Sequence, residues 1–194
     1  MAANSTIRSE MESFMVEQGL TMQGFADKSG VNRGTLSAII NRNPPRKISV
    51  RELDHITMGM GLSEGTFYPL YLEECFVEAV PHWRRLRPYF MSCAQLGRMD
   101  CIDRLLELLA DDLSHLPEIF TTAELLMVEG YKVAAAALYK VVVECEKFNY
   151  SERLAISRYR LFKLNLGLDT EANLWAALQF EPSRGWLPVD LQLD

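Results

Sequence analysis

The 194-residue chain is predicted to be an all-α protein on three observations. Apolar residues recur at the three- and four-residue spacing of helices through most of the chain. From residue 73 onward no stretch alternates apolar and polar residues in the way that marks a half-buried strand. Proline and glycine residues interrupt the apolar pattern at intervals that suit the length of ordinary helices.

The composition indicates a globular protein, because 48% of the residues are hydrophobic and 24% are charged. No apolar run approaches the ~20 residues that a membrane-spanning helix needs. The first residues, MAANSTIRSEMES, lack the apolar segment of a secretion signal. We therefore expect a cytoplasmic protein that does not enter a membrane.

The first 72 residues are predicted to form a separate domain that begins with three short helices. Apolar spacing indicates a helix over residues 5–18, with Ile7 and Met11 on its inner side. Thr21 and Asn32 suit the N-caps of the second and third helices, and Gly30 suits a turn with positive φ between them. Two short helices joined by such a turn form a helix-turn-helix, whose second helix is built to enter a DNA major groove.

This segment resembles the lambda-repressor/Cro-type (XRE-like) helix-turn-helix family over roughly residues 7–72. The matching landmarks are Gly19, Leu20, Ala26, Gly30, Val31, Leu36, Ile39 and Leu62. The resemblance implies a five-helix DNA-binding domain in which the first residues of the third helix reach base edges. Carried over, the candidates for base contact are Arg33, Thr35 and Ser37, and Arg33 is the main one because guanidinium can pair bidentately with guanine.

A proline-containing loop and two further helices complete this domain. Pro44 and Pro45 forbid a helix between Asn41 and Lys47. Ser49 and Glu52 have the spacing of a capping box that opens a helix through Met60, and a last helix is expected over residues 63–72. The predicted contacts to the DNA backbone are Asn32, Arg42, Arg46 and Lys47.

The distribution of charged residues along the chain indicates a local contact with DNA. It does not indicate a surface that is basic throughout. Residues 1–72 contain seven basic and seven acidic side chains, and five of the basic ones fall between residues 33 and 51. The other 122 residues carry the whole net charge of −6. A basic edge on a neutral domain can bind phosphate, whereas an acidic body cannot.

Residues 73–194 are predicted to form a second, helical domain with a hinge near residues 73–88. Helices are expected near residues 73–80, 83–96, 99–111, 117–129, 132–147, 151–166 and 169–180. The expected breaks are Pro81, Pro88, Gly97, Pro117, Gly130, Gly167 and Pro182. The basic and aromatic cluster His82–Arg87 could contact nucleic acid. Because Glu73, Glu74 and Glu78 precede it, the favoured interpretation is a hinge in which its basic side chains pair with these acidic residues.

These helices contain a soft internal repeat. Gly97, Gly130 and Gly167 lie 33 and 37 residues apart, close to the ~34-residue unit of tetratricopeptide (TPR) repeats. Residues 118–148 resemble that unit best, and the resemblance implies a right-handed α-solenoid with a concave binding face. The segment after Gly185 starts a new apolar helical pattern, so we expect the chain to be truncated at its C-terminus, an N-terminal fragment of a longer protein.

A Cro-type domain followed by a TPR-like domain resembles the peptide-pheromone-sensing transcriptional regulators of Gram-positive bacteria and their phages. The resemblance implies a homodimer that reads a two-fold operator in double-stranded DNA and a repeat domain that binds a short signalling peptide or a protein, as in quorum sensing. Asn165, Arg158 and Tyr159 are possible peptide contacts. The alternative function is a protein–protein interaction scaffold that keeps the helix-turn-helix fold without reading DNA, because Met22 replaces a frequent glutamine of the family and Gly34 and Ala38 offer no side-chain donor.

Catalysis, cofactor binding and metal binding are not expected. None of the three histidines stands beside a serine or cysteine in a recognisable nucleophile setting. The four cysteines form no CxxC pair and lie in apolar patterns, so buried reduced thiols are expected. A zinc site from His82, Cys93 and Cys101 would lack the usual spacing of ligand pairs.

Overall fold

The computed structural model describes residues 5–77, 80–110, 112–166 and 170–192, and these residues are mainly helical. The predicted all-α class is confirmed. The helices are α1 (Ile7–Glu17), α2 (Met22–Ser29), α3 (Arg33–Ile40), α4 (Val50–Gly59), α5 (Tyr68–Tyr71), α6 (Trp83–Gln95), α7 (Met99–Leu109), α8 (Leu116–Val128), α9 (Lys132–Cys145), α10 (Glu152–Asn165), α11 (Thr170–Phe180) and α12 (Val189–Gln192). Short 3-10 helices span Leu72–Cys75, Leu113–His115 and Glu181–Trp186.

The chain divides into two compact units, Met1–Arg98 and Met99–Asp194, here called the N-terminal and C-terminal units. The predicted division after residue 72 falls inside the N-terminal unit. This unit includes α6, which packs on α4 and on the 3-10 helix Leu72–Cys75. Three tyrosines join these elements: the Tyr89 ring lies 5.5 Å from that of Tyr68 and 5.2 Å from that of Tyr71.

The predicted helix caps of the N-terminal unit are confirmed. Thr21 Oγ1 accepts a hydrogen bond from the Gly24 amide at 3.1 Å. Asn32 Oδ1 accepts one from the Gly34 amide at 2.8 Å. Ser49 and Glu52 form the reciprocal hydrogen bonds of a capping box at the start of α4. Each cap satisfies backbone donors that have no partner inside the helix.

The predicted helix over residues 73–80 is wrong. Leu72–Cys75 forms a 3-10 helix, and β1 (Phe76–Val77) then pairs antiparallel with β2 (Val80–Pro81). Proline cannot donate to a helix and biases the residue before it towards extended backbone, which favours the strand at Val80. Glu78 lies outside the described residues.

Two other expectations about proline-containing segments also fail. The helix predicted over residues 63–72 is reduced to α5, because Gly65 adopts a positive φ of 76° and Pro69 lies at the start of the helix. The break predicted at Pro88 is absent, since α6 continues through this proline. The apolar face of α6, with Tyr89, Phe90 and Cys93 buried, holds the helix together despite the missing backbone hydrogen bond.

In the C-terminal unit the helices pack on their neighbours along the chain. The contacting pairs are α8 with α9, α9 with α10 and α10 with α11, and α7 also contacts α9. Ala123, Ala134 and Ala135 are buried, and such small side chains allow helices to approach closely. The turn between α8 and α9 contains Gly130 with a φ of 85°, as the sequence predicts. The predicted break at Gly167 lies outside the described residues.

All four cysteines are free, and Cys75, Cys93 and Cys101 are buried as expected. Cys145 is half-buried. Burial raises the pKa of the Cys75 thiol to about 12, so this thiol stays protonated at neutral pH.

Candidate nucleic-acid interface

The segment from α2 to α3 is held in a fixed bend by backbone and side-chain hydrogen bonds. Gly30 ends α2 with a φ of 71°, and its amide donates to the Ala26 carbonyl at 2.8 Å. Ser29 Oγ donates to the Phe25 carbonyl at 2.8 Å and accepts from the Val31 amide at 3.3 Å. Because these side chains are buried, the direction of α3 is set by the packing of α2.

The first turn of α3 lies on the surface of the N-terminal unit. Arg33 and Gly34 are exposed and Thr35 is half-buried, whereas Leu36 and Ile39 form the buried side of the helix. Within the part of the chain that the structure describes, Arg33 forms no ion pair. Ser37 is half-buried and its hydroxyl accepts a hydrogen bond of 3.4 Å from the Asn41 side chain. Of the three predicted base-contact residues, Arg33 is therefore the most available, because Thr35 and Ser37 are half-buried.

The four predicted backbone-contact residues differ in their availability. Asn32 uses its side-chain oxygen to cap α3, which leaves its amide group as a donor. Arg42 is exposed and has no ion pair among the described residues. Arg46 Nη2 lies 2.9 Å from Glu52 Oε1, and Lys47 Nζ lies 3.9 Å from Glu74 Oε2. Arg42 is thus the least constrained cation of the loop.

Glu52 is ionised at neutral pH and so compensates part of the charge of Arg46. Burial raises the pKa of the Glu52 carboxyl, but hydrogen bonds from Arg46 and Ser49 outweigh it and hold the pKa below its ordinary value. A carboxyl with a lowered folded-state pKa stabilises the fold above its unfolded pKa. The stabilising contribution of Glu52 is lost only as the pH falls through its folded-state pKa. The ion pair with Arg46 therefore persists at pH 7.

Sequence reasoning missed the structural role of Glu74, the buried carboxylate beneath the basic loop. Its side chain is only 4% exposed, and Oε1 lies 2.6 Å from Arg8 Nη1. The other carboxylate oxygen accepts from the Ile48 amide at 3.2 Å. Its closest ion pair is therefore with Arg8, and not with the 82–87 cluster as predicted. No local spacing links two residues 66 positions apart.

Arg8 extends this network to α3 and the loop. Its Nε donates to the Ile39 carbonyl at 3.1 Å and its Nη2 donates to the Arg46 carbonyl at 3.3 Å. The Arg46 amide in turn donates to the Ala38 carbonyl at 3.0 Å. The basic loop is thereby tied to the C-terminal end of α3 and to α1 through Arg8 and Glu74.

The C-terminal unit contains a groove of about 720 Å³ along α7 and α9. Leu106, Ala137 and Val141 contribute to its apolar floor. Its charged lining residues are Asp103, Glu107, Lys132, Lys140 and Glu144. Of the possible peptide contacts, Asn165 lines this groove, whereas Arg158 and Tyr159 do not.

Comparison of the chain with protein-family models, curated proteins and solved structures finds no match to any of them. Among the described residues, no three histidine, cysteine or acidic side chains are close enough to hold a metal ion. None of the described helices is long and apolar enough to cross a lipid bilayer.

Proposed function

We propose that this protein is a cytoplasmic, sequence-specific DNA-binding transcriptional regulator with a lambda-repressor-like N-terminal domain and a TPR-like repeat domain. The observation that carries the proposal is the start of α3, where Arg33 and Gly34 are exposed while Leu36 and Ile39 on another side of the helix are buried. A helix held in this way by a short turn suits insertion into a major groove.

In this proposal Arg33 discriminates bases, and Thr35 and Ser37 add weaker contacts. Asn32 contacts the DNA backbone through its side-chain NH2 group, and Arg42 does so without having to leave an ion pair with a described residue. Arg46 and Lys47 also bind DNA phosphates. To do so, Arg46 partly gives up its ion pair with Glu52, and Lys47 partly gives up its ion pair with Glu74. The protein acts as a homodimer on two half-sites about one helical turn (~34 Å) apart.

The C-terminal unit would supply the sensing function. Its groove combines an apolar floor with charges of both signs, an arrangement that suits an extended peptide with apolar and charged side chains. The proposed ligand is a short signalling peptide or a protein segment, as in quorum-sensing regulators.

Replacing Arg33 with alanine is expected to weaken binding to the preferred duplex by ~1–3 kcal/mol and to relax the sequence preference at one position of each half-site. The measurement is fluorescence anisotropy on a panel of single-base variants of that duplex. Arg104→Ala is the matched control, because Arg104 is an exposed arginine on α7 of the C-terminal unit, to which no DNA contact is assigned. If the Arg33→Ala variant binds every duplex of the panel more weakly by the same factor, Arg33 contacts only the DNA backbone.

The salt dependence of DNA binding should distinguish the contributions of Arg42 and Lys47 to phosphate binding. If each domain neutralises three phosphates, the plot of log K against log salt has a slope of roughly −5 for the dimer. Arg42→Ala is expected to reduce the slope magnitude by about 2 per dimer. Lys47→Ala should change it less, because Lys47 is already near Glu74. A larger change for Lys47→Ala than for Arg42→Ala would contradict this assignment.

The second candidate function is a protein-interaction scaffold, and one surface of the N-terminal unit favours it. A shallow depression formed by α1, α2 and α3 is lined by apolar residues that include Leu20, Met22 and Ile40. Val16 at its edge is 81% exposed. Binding of a partner protein without salt-sensitive DNA binding would favour this alternative.

A further inference from the structure

A second cleft of the C-terminal unit, here called the aromatic cleft, lies where α10, α11 and the following 3-10 helix meet. It encloses about 310 Å³ and is separate from the α7–α9 groove. Phe162 and Phe180 stack with ring centroids 6.0 Å apart, and Tyr159 lies 5.7 Å from Phe180. These three rings give the cleft an apolar wall large enough for one aromatic or branched aliphatic group.

Two cations and one anion line the same cleft. Lys163 Nζ lies 5.6 Å from the centre of the Tyr159 ring, and Arg184 is exposed on the 3-10 helix. Neither cation forms an ion pair with a described residue. Glu181 leaves a net charge of +1 among the lining side chains, which suits a monoanion better than a dianionic phosphate.

A buried hydroxyl provides an independent sign that a ligand belongs here. Tyr159 lines the cleft and is 5% exposed, yet its hydroxyl has no hydrogen-bond partner among the described residues. Buried polar groups in folded proteins normally have a partner. The wall that carries Arg184 is itself anchored, because Arg158 Nη1 donates to Ser183 Oγ at 2.5 Å and Ser183 is buried.

We propose that the aromatic cleft binds a carboxylate attached to an apolar group. The apolar group lies against Tyr159, Phe162 and Phe180, and the carboxylate lies between Lys163 and Arg184. The Tyr159 hydroxyl donates its hydrogen bond to the ligand. The same chemistry is offered by the C-terminal residue of a peptide and by a free hydrophobic acid. The site does not depend on whether the N-terminal unit binds DNA.

Three probes test the proposal on the full chain by ligand-observed NMR titration. N-acetyl-L-phenylalanine represents a peptide C-terminus and 3-phenylpropionate represents a free acid. N-acetyl-L-phenylalaninamide has the same apolar group without the charge. Both acids are expected to bind, on the order of tenfold more tightly than the amide, because charge-assisted hydrogen bonds are the stronger ones. Whichever acid binds more tightly identifies the source that the cleft favours.

Substitutions test whether the named side chains cause the preference for the acids over the amide. Lys163→Gln combined with Arg184→Gln should abolish the preference for acid over amide and leave the affinity of the amide unchanged. Tyr159→Phe should weaken binding of the acids several-fold. Lys147→Gln is the matched control, because this exposed lysine lines neither the aromatic cleft nor the α7–α9 groove and should change nothing. Circular dichroism establishes that each variant is folded.

Three results would overturn the proposal. They are equal affinity for acid and amide, a preference that survives in the double variant, and no binding of any probe at millimolar concentration.

Discussion

Replacing Glu74 with alanine is expected to destabilise the N-terminal unit by about 3 kcal/mol, the largest effect of any single substitution considered for this protein. The Glu74 carboxylate is almost fully buried and accepts from both Arg8 and the Ile48 amide. Its removal leaves a largely buried guanidinium without its counter-charge and a backbone amide without its acceptor. Native-state hydrogen exchange of the Ile48 amide and of the α3 amides measures the effect within this unit.

Glu73→Ala is the matched control, because Glu73 is the adjacent acidic residue and its side chain is exposed. We expect the control to change stability by less than about 0.5 kcal/mol. Glu74→Gln retains a hydrogen-bond acceptor and should fall between the two. Equal protection of the α3 amides in the Glu74→Ala and Glu73→Ala variants would contradict the role assigned to this carboxylate.

Replacing Gly59 with alanine is expected to cost about 1–3 kcal/mol, because α4 and α2 touch at this glycine. A Cβ atom at Gly59 would lie 2.6 Å from both Cα and Cβ of Ser29, so a backbone must move. Ser29 is the last residue of α2 and its hydroxyl supports the turn into α3. The variant should therefore lose amide protection in α2 and α4 and also bind duplex DNA less tightly.

Gly24→Ala is the matched comparison and should have the opposite sign. Gly24 lies inside α2, and its nearest neighbours would be 3.5 Å from an added Cβ, which is ordinary contact. Alanine favours a helix over glycine by up to about 1 kcal/mol, so this variant should be more stable than the original chain. Destabilisation by both substitutions to the same extent would show that helix packing at Gly59 is not the cause.

Features encoded by neighbouring residues were predictable from the sequence. The caps at Thr21, Asn32 and Ser49 depend on side chains within three positions of the backbone groups that they cap, and the turn at Gly30 depends on the positive φ of that glycine. Local spacing reports such interactions directly, and most helix ends follow from it within a few residues. The same local rules failed at Pro88, where burial of one face of α6 outweighs the cost of the proline.

Features that join distant parts of the chain were not predictable from spacing. The Arg8–Glu74 pair and the pairing of Lys47 with Glu74 exist only because the fold brings separate segments together. The aromatic cleft likewise combines α10 with a 3-10 helix, and no apolar pattern in the sequence predicts that helix. Arg33 was predicted from the family resemblance and Arg42 from its place in the proline-containing loop, whereas the pairing of Arg46 with Glu52 required coordinates.

The most direct test of the proposal that α3 enters a DNA groove is selection from a random duplex pool by the full chain at moderate salt. The expected result is enrichment of a two-fold symmetric sequence with half-sites about one helical turn (~34 Å) apart. The Arg33→Ala variant should enrich a sequence that is relaxed at one position of each half-site. If the chain is folded and no sequence is enriched from the pool, the result contradicts the central claim. It would then favour a protein-binding role for the N-terminal unit.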